Sequence, residues 1–316
     1  MLGNNFSLKN ALLNLNSDIN FFSKYLLTNK MITISQKTIN SKISCNGVGL
    51  HSGENALMTL VPAPCNTGII FRRKDIGGKN GEIKANYLNV VGTNLGTTLT
   101  NEFGAKVSTI EHLIAAIWGC GIDNLYIDIN GPEVPIMDGS SEPFVFLIEC
   151  AGINTQEESR RVLEILKKVR VEENDKFVEA KPSKEFSIDL HIDFDHKQIQ
   201  RQQFDYHSTF TSFKNDICRA RTFGFKHEIE HLHKLGLAKG GSLDNAILVD
   251  ENGIVNEGGL RYRDEFVRHK TLDFIGDIYL AGHYILGHFN ASKPGHGINN
   301  KLLRKLFEDD AAWRLI

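Results

Sequence analysis

Apolar and polar residues alternate along residues 31–34, 43–46, 56–61 and 68–72, a period of two that predicts four short strands. Gly47, Gly49 and Gly53 mark a turn between two of them. Residues 76–107 are polar and rich in Gly and Asn, with short β-type pieces such as 89–92. The period then changes to that of a helix over 108–118, stopped by Gly119 and Gly121. A strand at 124–129, a turn at Asn130-Gly-Pro132 and a helix at 142–151 ending at Gly152 follow. The charged stretch 154–161 reads as a linker. Beyond it, strands fit 162–171, 177–181 and 186–194, and irregular polar sequence leads to Cys218. A short helix fits 226–235, a strand 246–249, a long helix 264–280, a strand around 288–291 and a last helix from about 297 to 306. Strands precede helices in both halves, which predicts an α+β fold of two domains, residues 32–155 and 156–306. Residues 1–31 are expected to be a disordered or dispensable extension, with Met31 as a candidate alternative start, and 307–316 a C-terminal tail.

The length of 316 residues fits two domains of roughly 130–150 residues. A net charge of −2 offers no electrostatic grip on nucleic acid or an anionic membrane. Five scattered cysteines without a Cys-x-x-Cys pair point to a reducing compartment, and so to the cytoplasm, with free thiols. No apolar run approaches the ~20 residues of a membrane span, so no stable membrane insertion is expected. Asp18 and several Asn interrupt the first 30 residues, against a secretory signal, and the absence of Arg there speaks against an organellar presequence.

Candidate chemistry lies on two of the helices. His269 and Asp273 stand four residues apart, on one helical face, and Asp277 extends the stripe by another four. Such a stripe is either surface or active site. Glu111-His112, more than 150 residues upstream, would complete a two-His, one-Asp site with a free Glu beside a ligand, the composition of catalytic zinc hydrolases. Against this, Ser108-Thr-Ile-Glu111 matches a capping box with Ser108 as N-cap, and His112 reads equally as a satisfied core histidine. His296, between glycines ahead of the last helix, reads first as an exposed loop residue able to titrate near neutral pH. His227, His231 and His233 read as a solvated helix face. There is no Gly-x-Ser-x-Gly elbow, His-Glu-x-x-His pair, Walker loop or dinucleotide fingerprint.

Eight co-linear motifs settle on one family: Gly47-Val-Gly-Leu-His-Ser-Gly53, Pro62-Ala-Pro-Cys-Asn-Thr-Gly68, Ser108-Thr-Ile-Glu-His-Leu113, Gly131-Pro-Glu-Val-Pro-Ile-Met-Asp-Gly-Ser140, Ala220-Arg-Thr-Phe-Gly-Phe225, Arg263-Asp-Glu-Phe-Val-Arg-His-Lys270, Leu272-Asp-Phe-Ile-Gly-Asp277 and Lys293-Pro-Gly-His-Gly-Ile-Asn-Asn300. In order and spacing, from about residue 32 to 306, the chain resembles the UDP-3-O-acyl-N-acetylglucosamine deacetylases, zinc amidases of Gram-negative lipid A synthesis. Cys65 takes a position where that family usually has a small residue.

The resemblance implies two similar domains, each a β-sheet with two packed helices. The helices face each other across the active site, and each domain carries one insert, near 77–105 and 223–248. It implies His112, His269 and Asp273 as zinc ligands, with ferrous iron also compatible with such a set. Glu111 becomes the general base, His296 the group that stays protonated, Asp277 its orienting partner and Thr222 an oxyanion donor. Lys270 and Phe223 would contact substrate, and His51 and Asp138 would support the site. Phe223, Phe225, Ile229, Leu232, Leu235 and Leu237 are expected to line an apolar acyl passage. The implied reaction is hydrolysis of the N-acetyl group of UDP-3-O-(3-hydroxyacyl)-N-acetylglucosamine, by a monomer, with a metal-dependent amidohydrolase of a different acylated sugar as the alternative.

Overall fold

The computed structural model describes residues 34–209 and 211–316, so the expectations for residues 1–33 lie outside the described residues. The fold is α+β. In the first half a five-stranded sheet runs in the order Ile43–Val48, Asn55–Pro62, Leu125–Ile129, Ile69–Arg73, Glu82–Lys84. Strand alternation turns Ala56, Met58 and Leu60, and likewise Leu125, Ile127 and Ile129, to one buried face. They share a core with Leu113 and Ile117 of helix α1 (Glu111–Gly119) and Phe144 and Ile148 of helix α2 (Glu142–Ala151). Each such large side chain, fully buried, is worth about 1.5–3 kcal/mol.

The second half is built on a seven-stranded sheet. Its path is Val169–Glu173, Lys176–Lys181, Tyr284–Ser292, Val162–Ile165, Trp313–Leu315, and Phe186–Phe194 joins Tyr284–Ser292 and carries Gln200–His207 on its other side. Besides the short helix α3 (Lys226–Lys234), this half holds α4 (Glu265–Tyr279) and α5 (His296–Glu308). Helices α1 and α4 face each other, and both are buried almost all round: Glu111 to Trp118, and thirteen of the fifteen residues of α4. A helix covered on all sides shows little amphipathic contrast, so its polar residues stand inside the protein.

Four expectations are corrected. The charged stretch read as a linker is the strand Ile153–Ser159, antiparallel to Ser35–Ile39. Nearly all its side chains are exposed, so no apolar alternation announced it. The single strand expected at 162–171 is two, Val162–Ile165 and Val169–Glu173. The irregular stretch before Cys218 contains the strand Gln200–His207, paired along its whole length with Phe186–Phe194. The expected tail adds an edge strand, Trp313–Leu315, against Val162–Ile165.

Both regions expected to be inserts form small sheets. Residues 90–107 make three strands, Val90–Gly92, Thr98–Thr100 and Lys106–Val107, whereas Glu82–Lys84, within the expected insert, belongs to the main sheet. In the second half, Phe223–Phe225, Ile247–Asp250 and Gly253–Ile254 form the small sheet beside α3, reaching past residue 248. Among the described residues no helix is long and apolar enough to cross a membrane.

Candidate active site

Helix α1 begins later than the capping box predicts. Ser108 donates from its N–H and its hydroxyl to Pro132 O, at 2.8 and 3.1 Å, and Thr109 takes a left-handed φ of 56°. Glu111 is therefore the first helical residue, with no side-chain cap before it. Its carboxylate turns to the first insert instead, where Oε2 accepts the Thr97 N–H at 3.0 Å. The buried Glu133 braces this entry: it accepts from Thr109 Oγ1 at 2.9 Å and from the His51 and Ser52 N–H groups at 2.8 Å.

Helix α4 approaches α1 backbone to backbone. A Cβ on Gly276 would stand 2.3 Å from Glu111 O and 3.1 Å from Glu111 Cα, so only glycine allows this spacing. One and two turns earlier, Asp273 and His269 project toward His112. The Nε2 atoms of His112 and His269 lie 3.5 and 3.3 Å from Asp273 Oδ1, and the three ligand atoms all fall within 4.8 Å of one another.

These residues fit a zinc ion. The edge of a tetrahedron with ~2.0–2.1 Å from centre to corner is ~3.3 Å. Among the described residues Asp273 Oδ1 is buried without a hydrogen-bond partner, which leaves it free to ligate a cation. His269 Nδ1 donates to Ala220 O at 3.0 Å, leaving the Nε2 lone pair free for a cation. Burial pushes the His269 ring down to about 3, so it is neutral at neutral pH, as a ligand must be. Burial works against the Asp273 carboxylate, yet the neighbouring His269 and Lys270 hold it well below the usual range. Since His269 is itself neutral, the Lys270 ammonium, 2.9 Å from Asp273 Oδ2, is the partner that persists.

His296 is buried, not exposed: it opens helix α5, and its ring is walled in by carboxylates. Nδ1 donates to Asp277 Oδ2 at 2.8 Å, and Nε2 points toward Glu111 Oε1 at 3.8 Å. Burial alone would lower its pKa. Asp277 and then Glu111 overcome that and hold it at about 9, so the ring is an imidazolium at neutral pH. Asp277 takes two further donors, Asn299 Nδ2 on Oδ2 at 2.8 Å and Thr97 Oγ1 on Oδ1 at 2.6 Å.

Glu111, His296 and the ligand trio open onto one cavity of about 660 Å³, which Thr222, Phe223, Lys270 and His51 also line. Thr222 is held there through its N–H on Gly139 O at 2.8 Å. The Lys270 ammonium stands 5.8 Å above the Phe223 ring. Of the six residues expected along the acyl passage, Phe223, Ile229 and Leu232 line the cavity, joined by Leu50, Leu243 and Leu248. Phe225, Leu235 and Leu237 do not: Phe225 packs on Phe194 and His196, and Leu235 is exposed. Asp138 lies outside the cavity, paired with Arg261 at 2.8 Å. Sequence reasoning missed Thr97, Glu133, Gly276 and Asn299. Only Asn299, one helical turn beyond His296, carried a usable spacing signal.

The sequence pattern of the UDP-3-O-acyl N-acetylglycosamine deacetylases matches residues 36–308. A UDP-3-O-acyl-N-acetylglucosamine deacetylase of Acidithiobacillus ferrooxidans is 49% identical over 90% of this chain and 93% of its own length. Its namesake from Shewanella frigidimarina is 48% identical over the same shares. The one from Legionella pneumophila is 51% identical over 89% of this chain and 92% of its own. On this match and these identities, the chain belongs to the UDP-3-O-acyl N-acetylglycosamine deacetylase family.

Proposed function

We propose that this chain is a zinc-dependent deacetylase that hydrolyses the N-acetyl group of UDP-3-O-(3-hydroxyacyl)-N-acetylglucosamine, giving UDP-3-O-(3-hydroxyacyl)-glucosamine and acetate. This is the committed step of lipid A biosynthesis, and we assign it to the cytoplasm, in keeping with five cysteines that all stand free. The observation that carries the reading is the pairing of opposite protonation duties at one cavity. A carboxylate oxygen, Glu111 Oε1, faces an imidazolium nitrogen, His296 Nε2, across 3.8 Å, beside the His112, His269 and Asp273 cluster.

An amide is a poor electrophile and its nitrogen a poor leaving group, so the reaction needs a base and an acid together. Zinc held by His112, His269 and Asp273 would supply Lewis acidity and a water of lowered pKa, toward ~7. Glu111 takes the proton of the attacking water as its oxygen bonds to the acetyl carbon. His296, protonated, faces the same space and gives a proton to the departing sugar nitrogen as the C–N bond breaks. The Thr222 hydroxyl donates to the developing oxyanion. Lys270, on the cavity wall, contacts the polar part of the substrate, and Phe223, Ile229 and Leu232 take the acyl chain.

The test is acetate release from that substrate by metal-analysed protein, with Glu111→Ala in parallel. Turnover abolished in a variant that keeps its metal supports the reading. A folded, zinc-loaded wild type without turnover refutes this substrate, and a panel of other acylated amino sugars then follows.

A further inference from the structure

We propose that Thr97 is the positioning residue that sets the distance and orientation between the base Glu111 and the acid His296. The inference rests on the deacetylase reading for those two roles. Thr97 is 1% exposed and sits in the first insert, on neither catalytic helix. Its N–H donates to Glu111 Oε2 at 3.0 Å, and its hydroxyl to Asp277 Oδ1 at 2.6 Å. Asp277 in turn holds His296 Nδ1 through its other oxygen. One residue thus grips both halves of the acid–base pair, one with its main chain and the other with its side chain.

Two consequences follow at the level of atoms. With Oε2 engaged by Thr97, Glu111 Oε1 is left without a protein donor among the described residues, and it is the oxygen nearest His296 Nε2, so it is the one that takes the proton. With Oδ1 engaged by the hydroxyl and Oδ2 by Asn299 and His296, the Asp277 carboxylate cannot rotate. The imidazole therefore keeps Nε2 aimed at the cavity. The preceding residue fits equally closely, since a Cβ on Gly96 would stand 3.1 Å from Glu111 Oε1. Positioning of this kind counts because a displacement of roughly 1 Å in a reacting group can cost about a hundredfold in rate.

Thr97→Val keeps the N–H and the shape and removes only the hydroxyl, and Thr97→Ser restores it. In the zinc-loaded full-length protein, T97V is expected to lose about 10- to 100-fold in kcat, the range for lost outer hydrogen-bond partners. KM and zinc content should stay within about twofold, and T97S should recover most of the loss. By proton NMR, the His296 Nδ1–H resonance should move in T97V and return in T97S. If T97V does not fold, Thr97→Ala carries the same comparisons. A kcat within twofold of wild type, a loss that T97S fails to rescue, or a loss that follows zinc content would overturn the proposal. If the wild type releases no acetate, the substrate reading fails, and the Nδ1–H resonance still decides the positioning role: unchanged in T97V, it overturns it.

Discussion

Replacing Gly276 with alanine asks whether the spacing of α1 and α4, which carry the proposed base and metal ligands, is set for the site. The added Cβ would stand 2.3 Å from Glu111 O, 3.0 Å from its carbonyl carbon and 3.1 Å from its Cα. Non-bonded carbon and oxygen rest at roughly 3.2–3.5 Å, and these three atoms are all backbone, not the end of a flexible side chain, so the helices must part by about 1 Å. Metal–ligand distances tolerate about ±0.2 Å. His112 rides on one helix and His269 and Asp273 on the other, so the movement opens the ligand cluster itself. Zinc affinity is expected to fall 10- to 100-fold, and kcat at saturating zinc about a hundredfold.

Stability supplies a sign that separates the explanations. Alanine is about 1 kcal/mol better than glycine in a helix interior, whereas overpacking costs about 1–3 kcal/mol. A jammed interface therefore leaves the metal-free variant no more stable than wild type, or less so by up to about 2 kcal/mol. A roomy one makes it more stable by about 1 kcal/mol. The assays are zinc competition with a chromophoric chelator, acetate release and thermal unfolding of the metal-free protein. A G276A variant that binds zinc within twofold of wild type and melts higher would refute the reasoning.

Three further outcomes are expected. In the metal-free protein the His296 ring should titrate near 9, by NMR, and lower in Asp277→Asn. Because its folded pKa is raised above the unfolded value of about 6.5, its contribution to stability is complete below that pH and is lost as pH rises through about 9. Denaturant midpoints should fall across this window in wild type and less in D277N. Glu133→Gln puts an amide where three donors converge, so at least one donor, the half-buried Ser52 N–H, loses its acceptor; a loss of about 1–3 kcal/mol is expected in equilibrium unfolding. Leu232→Trp narrows the passage, and excluding two methylenes costs about 1.6 kcal/mol, so kcat/KM for the longer chain should drop roughly fifteenfold relative to one two carbons shorter.

The sequence made the candidate metal cluster legible because helical spacing brings His269, Asp273 and Asp277 into line, and the motif order pointed to Glu111-His112. It misled where a local rule met a tertiary override. Ser108 and Glu111 have the spacing of a capping box, but Pro132 and Glu133 capture Ser108 and Thr109, and the backbone turns left-handed before the helix can start. His296 stands between glycines, which suggests a loop, yet Asp277 and Asn299 enclose it. The strands Ile153–Ser159 and Gln200–His207 escaped for the opposite reason. Their partners are fixed by backbone pairing, and their side chains, largely exposed, leave no apolar period to read.

What the sequence hid most completely is the division of labour among distant segments. In the proposed reading two helices bring the metal ligands and the base, a third brings the acid, and the polar, Gly- and Asn-rich stretch 76–107 brings Thr97, the residue proposed to tie base to acid. Gly276 sets the separation of the first two helices through an atom it lacks, and Thr97 reaches Glu111 with its backbone N–H and Asp277, the partner of His296, with its hydroxyl. Neither signal is periodic or a motif in itself, because each depends on what stands opposite in space. The proposed acid–base pair is therefore held by three constraints from separate parts of the chain: the α1–α4 gap, the Asp277 carboxylate and Thr97. A defect in any one should lower kcat while leaving the cavity, and so KM, largely intact. Loss of zinc should accompany only the first, since Gly276 alone of the three sits where the ligand-bearing helices touch.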